Sequence, residues 1–130
     1  MSTRRIAINV EVPNTFAADV LTTAVEGGIN YWCCADSIVR DDNLSVLKVI
    51  GPQDNEDNET RWDDITLDTI FLGIQRIISE AVPIRNDLFI QVLRGVMAAG
   101  NGDEFAAGEI DSDAADCVVQ AGLFNELTYS

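Results

Sequence analysis

Histidine is absent from the 130 residues, and lysine occurs once, at Lys48. Without an imidazole, the ordinary Ser-His and Cys-His arrangements of nucleophilic catalysis have no base. Cysteine is scarce as well. Cys33, Cys34 and Cys117 are odd in number, and adjacent residues on one strand point to opposite faces. A disulfide framework is therefore not expected, and reduced, partly buried thiols are. Three cysteines without histidine also fall short of a standard zinc site unless carboxylates or another chain complete it. No apolar run reaches the ~18 residues needed to cross a bilayer. Met1-Ser2-Thr3-Arg4-Arg5 leads into a strand-like segment, not the apolar core of a signal peptide. The expectation is a protein made and kept inside a cell, with no membrane partner. Neither G-x-G-x-x-G nor a Walker loop is present.

Positive charge is scarce and negative charge abundant: 8 basic residues stand against 22 acidic ones, for a net charge of −14. Asp outnumbers Glu and Arg outnumbers Lys. A lysine stem covers apolar surface, whereas Asp presents a short, strongly hydrated carboxylate. Such a surface suits concentrated salt, where the Debye length falls to ~3 Å at 1 M and self-repulsion is screened. Halophilic adaptation is the leading explanation. The sharper alternative is an acidic surface that imitates the DNA phosphate backbone and occupies a basic partner. Direct nucleic-acid binding is not expected, because the one basic cluster is Arg4-Arg5.

Hydrophobic content of 47% fits a single globular domain over residues 1–130. Arg4 to Val12 alternates as a strand. After Pro13, Asn14 or Thr15 can cap a helix from Thr15 to Glu26, with Phe16, Val20, Leu21 and Ala24 inward. Gly27 then suits a left-handed stop. Tyr31–Val39 and Leu44–Ile50 read as a hairpin joined by Arg40–Asn43, and Arg61–Ile65 as a third strand returning along Leu44–Ile50. The polar residues Gln53–Thr60 read as an exposed loop, because the glycine and ligand spacing of a calcium loop are missing. Thr66 caps a second helix carrying Leu67, Ile70, Phe71, Ile74, Ile77 and Ile78, and Pro83 breaks the chain after it. A third helix runs from Asn86 or Asp87 to Ala99, with Phe89, Val92, Leu93, Val96 and Met97 inward. Gly100-Asn101-Gly102 ends it, and Asp103–Glu109 is a loop with one helical turn. A fourth helix spans Ala114–Ala121, stopped by Gly122, and Leu123–Tyr129 forms a short strand or extended tail. The expected fold is α+β: a small antiparallel sheet with about four helices packed mainly on one face.

Chemistry is harder to place. Carboxylates are so numerous that Asp63-Asp64 and Asp111-Ser112-Asp113 read first as caps and turns rather than as acid–base pairs. The best recognition candidates are Glu26, Gly27, Gly28, Asn30, Tyr31 and Trp32. Their glycines allow a sharp corner, the aromatics offer a stacking platform, and Asn and Glu offer directional hydrogen bonds. The same residues also read as a structural corner with its aromatics in the core. No catalytic residue, metal site or cofactor is expected.

Glu26-Gly27-Gly28 with Tyr31-Trp32, Ile65-Thr66-Leu67-Asp68-Thr69-Ile70, and Gly108-Glu109-Ile110-Asp111 followed by Ala115-Asp116, Val119-Gln120 and Leu123-Phe124 together resemble a family of short, mostly uncharacterised proteins of tailed viruses. Where many of that family carry glycine after the Leu-Phe pair, this chain has Asn125, which loosens the turn expected there. The resemblance implies a viral gene product, here of a salt-adapted host. It leads to the expectation of a non-enzymatic accessory protein in the host cytoplasm. Such a protein would bind a host or viral protein, or a small nucleotide-like ligand, to counter host defence. The alternatives are a virion component (head–tail connector, completion or decoration protein) and an acidic DNA mimic, with oligomerisation open in each case.

Overall fold

Leu67, Ile70, Ile74 and Ile77 recur on one side of a helix that Thr66 opens, and the rest of the fold is assembled against that side. The computed structural model describes residues 10–29, 34–41, 44–50 and 62–128; for Gly28 and the strands before Ile65 it describes the backbone alone. In chain order the elements are α1 (Asn14–Thr23), continued by a π-helical turn (Ala24–Gly28), then β1 (Cys34–Asp41), β2 (Leu44–Ile50) and β3 (Trp62–Ile65). α2 (Leu67–Ile78), α3 (Asn86–Gly100), a 3-10 turn (Ala106–Glu109) and α4 (Ser112–Phe124) follow.

α2 starts as expected. Thr66 Oγ1 accepts from the Thr69 N–H at 3.3 Å, and Thr69 Oγ1 accepts from the Thr66 N–H at 3.2 Å. This reciprocal box satisfies two donors that a helix start otherwise leaves free, with Thr in place of the usual Glu or Gln. Asp68 in the first turn and Arg76 in the last both complement the helix dipole.

The face of α2 also carries Gly73, and α4 answers with Gly122. A Cβ at Gly73 would stand 2.0 Å from the Val118 carbonyl oxygen; one at Gly122 would stand 2.1 Å from the Thr69 carbonyl oxygen. The two helices therefore meet backbone to backbone. Arg76 then reaches from α2 to the end of α4, where its Nη1 donates to the carbonyl oxygens of Ala121 at 2.8 Å and Gly122 at 3.1 Å. Both carbonyls lie in the last turn of α4, where a helix runs short of internal donors. Asn125 follows at φ 59, and its N–H bonds the Ala121 carbonyl at 3.2 Å.

This contact corrects the expected C-terminal part. Gly122 does not end the fourth helix but lies inside it, used for close approach, and Leu123 and Phe124 belong to α4 and not to a strand. The stop is Asn125 in the left-handed conformation, a position that glycine also favours. At the other end of the chain, Asn14 is the first residue of α1 and makes no side-chain cap; the Phe16 N–H bonds the Pro13 carbonyl at 3.1 Å instead. Gly27 is not left-handed either. It sits in the π turn, where the Ile29 N–H reaches back five residues to Ala24 at 3.0 Å and Ile29 arrives fully buried.

α3 buries Leu88, Val92, Gly95, Val96 and Ala99, whereas Met97 is 43% exposed and Phe89 and Leu93 are half-buried. The expected stripe is shifted because Gly95 lets another part of the chain in. A Cβ there would come within 3.0 Å of Ile110 and 3.3 Å of Phe16.

The strands form one sheet in the order β1-β2-β3, both pairs antiparallel. Asp41 pairs with Leu44, so the connection is two residues, shorter than the expected Arg40–Asn43 turn. Most of the expected first strand, the polar loop 53–60 and residues 30–33 lie outside the described residues, and Val10 and Val12 belong to no strand.

The expected α+β architecture is corrected: the described fold is mainly α. Among the described residues the buried apolar positions other than Ile65 of β3 come from α1, α2, α3, α4 and their connections, and these helices pack on one another. The sheet meets the helices chiefly at α2, next to the buried Ile65. Periodicity located the elements, but which faces meet is decided by the glycines.

Gly73→Ala and Gly122→Ala should each lower stability by ~1–3 kcal/mol in chemical denaturation, as overpacked cores do, although Ala is the better helix former. Gly108→Ala, whose Cβ would meet nothing within 4 Å, is the control and should be close to neutral. A stabilised Gly73→Ala would contradict the close crossing.

Candidate functional site

A groove runs between α1 and the connection that leads from α3 to α4. It consists of two adjoining hollows of about 380 Å³ each, within the usual range of ligand and peptide sites. Phe16, Ala99, Ala106 and Ile110 form its apolar floor, and all four are buried. Asp19, Thr22 and Thr23 line it from α1; Asp103, Glu104 and Ala107 line it from the connection. Asp19, Glu104 and Ala107 are common to both hollows. Phe105 stands at the edge, 83% exposed, the most exposed large apolar side chain among the described residues.

Local hydrogen bonds hold the connection in place. Gly102 turns the chain at φ 86, and the Asp103 N–H bonds the Ala98 carbonyl at 3.0 Å. The Asp103 carboxylate accepts from the Phe105 N–H at 2.9 Å, closing a tight turn that presents the ring. At the far end Gln91 and Asp111 bond each other twice: Gln91 Nε2 donates to Asp111 Oδ2 and the Asp111 N–H donates to Gln91 Oε1, both at 3.0 Å. Asp111 Oδ1 also accepts from the Ala114 N–H at 2.9 Å, capping α4. The wall of the groove is therefore fixed at both ends.

Among the described residues the groove has acidic side chains and no basic one in its lining. Its field favours a cationic group, and its floor favours an apolar one. No group of three His, Cys, Asp or Glu that could hold a metal occurs among the described residues. No family model, curated protein or solved structure matches the chain.

The residues singled out in the sequence lie elsewhere. Glu26 and Gly27 are exposed on the π turn. Gly27 lies against the first residue of α4, where an added Cβ would be 3.6 Å from Ser112 Cβ. Gly28 closes that turn, and Asn30, Tyr31 and Trp32 lie outside the described residues. At the start of α4, close to Gly27, the Ala114 N–H is already served by the Asp111 carboxylate. The groove escaped notice because its acidic residues are spread over two distant segments. One signal was available: Phe105 is the only aromatic residue in the small, polar run 101–109.

Other polar groups are structural. Gln120 Nε2 donates to Asp116 Oδ1 at 2.9 Å inside the core, one helical turn apart on α4. Arg85 and Asp87 form an exposed pair at the start of α3, with Nη2–Oδ2 at 2.9 Å, and the Arg85 hydrogen bond holds the Asp87 carboxyl below its ordinary value. Cys117 is buried, and loss of hydration, helped by Asp116 and Asp113, pushes its thiol from 9.0 up to about 11. That thiol is a packing group and not a nucleophile. No helix of the described residues is long and apolar enough to cross a membrane.

Because the folded Cys117 value is raised, its neutral form contributes stability below pH 9 that is lost as pH rises towards about 11. Iodoacetamide at pH 8, read by peptide mass spectrometry, should leave Cys117 unmodified in the native chain and label it fully in denaturant. Rapid native labelling would contradict its burial.

Proposed function

We propose that the chain is a non-enzymatic accessory protein that binds a partner protein, host or viral, through the groove between α1 and the 102–110 connection. The observation that carries this reading is Phe105, a large apolar side chain held in water at the edge of a preformed groove. Exposed aromatics beside small apolar hollows are the anchors on which protein interfaces depend. The acidic lining points to a partner segment that combines positive charge with apolar side chains. A nucleotide-like ligand fits this groove poorly, since its phosphates would face Asp19, Asp103 and Glu104. Any nucleotide site would instead involve the Glu26–Trp32 segment.

The resemblance to short tailed-virus proteins supports an accessory role in an infected cell, with counter-defence as its purpose. An acidic DNA mimic would also attract a basic partner, but it would need no apolar floor and no exposed ring. The two readings differ in what a neutral change at Phe105 does.

Peptides selected from a random library on the immobilised chain should be cationic and contain at least one apolar residue. They should lose about tenfold in affinity for Thr22→Arg, which places a positive charge in the groove. Acidic binders, or binders indifferent to Thr22→Arg, would contradict the proposal.

A further inference from the structure

The groove holds two chemistries side by side. Glu104 and Phe105 are neighbours on the connection, and Asp19 lines the same hollow from α1. The Asp103 carboxylate holds the Phe105 backbone N–H, and the Phe105 ring stands 83% exposed beside the hollow that Ala107 and Ile110 line. A partner group that satisfies this arrangement must cover an aromatic face and meet carboxylates together.

Resting on the reading above, we infer that the partner segment places an arginine, in preference to a lysine, against Phe105 and Glu104, with an adjoining apolar side chain in the hollow over Ala107 and Ile110. The reason is geometric. A guanidinium is planar and weakly hydrated, so one face stacks on a ring while the N–H groups at its edge donate to carboxylates. An ammonium is compact and strongly hydrated, and it gives up water to touch a ring. Carboxylates alone would accept either cation; the exposed ring is what separates them. Because Gly102, Asp103 and the Gln91–Asp111 pair already fix the connection, little ordering is left to oppose binding.

The test takes the tightest groove-dependent peptide from a random library and a copy in which its arginine is replaced by lysine. Dissociation constants for both are measured by fluorescence anisotropy on the wild-type chain and on Phe105→Leu. Phe105 is exposed, so the leucine variant should fold as the wild type does, and circular dichroism checks this. On the wild type the lysine copy should bind roughly three- to tenfold more weakly. On Phe105→Leu the gap should close. Selected peptides without arginine, equal affinities on the wild type, or an unchanged gap on Phe105→Leu would overturn the arginine inference and leave the groove reading in place. A selection that yields no groove-dependent peptide would overturn both.

Discussion

Everything described in this fold depends on α2 and α4 touching through their backbones. Gly73 and Gly122 leave no room for a side chain between them, and that closeness puts the end of α4 within reach of Arg76. Ile70, Ile74 and Ile77 of α2 and Val118 of α4 are buried in the same core, each such side chain contributing on the order of 1.5–3 kcal/mol. With α4 fixed on α2, its start is fixed too. The π turn after α1 packs there, and Asp111 there ties the incoming connection to Gln91 on α3.

The groove follows from that placement. α1 is held by the π turn against α4, and α3 is held through Gly95 against Ile110 and Phe16. The connection between α3 and α4 must then run alongside α1, and it leaves a hollow floored by the residues that hold it. Phe105 stands exposed at the edge of that hollow, whose floor is made by the buried Phe16, Ala106 and Ile110. The proposed binding groove thus arises from packing constraints.

Much of the helical part was legible in the residue pattern. Thr66 with the Leu67–Ile78 spacing, the Gly100-Asn101-Gly102 stop and the Asp111 cap each act locally, so local chemistry revealed them. The failures share one cause. Gly27 and Gly122 read as helix stops, yet Gly122 serves, as Gly95 does, as a point of close approach, and Gly27 sits within a widened turn. Whether a glycine marks an end or a contact depends on a partner far away in the chain. The same reason hid the groove, which joins residues near 19 to residues near 104. It also misdirected the architecture: alternating strands suggested a sheet as the organising layer, whereas the helices bury one another.

Native-state hydrogen exchange tests the primacy of the α2–α4 crossing most directly. Amides of Ile74–Ile77 and Val119–Gly122 should be the slowest in the chain and should exchange only through global unfolding, with free energies equal to the stability measured in denaturant. The β1 and β2 amides should open at lower cost. If the slowest amides lay instead in β1 and β2, with α2 and α4 opening first, the helical crossing would not be what the fold depends on.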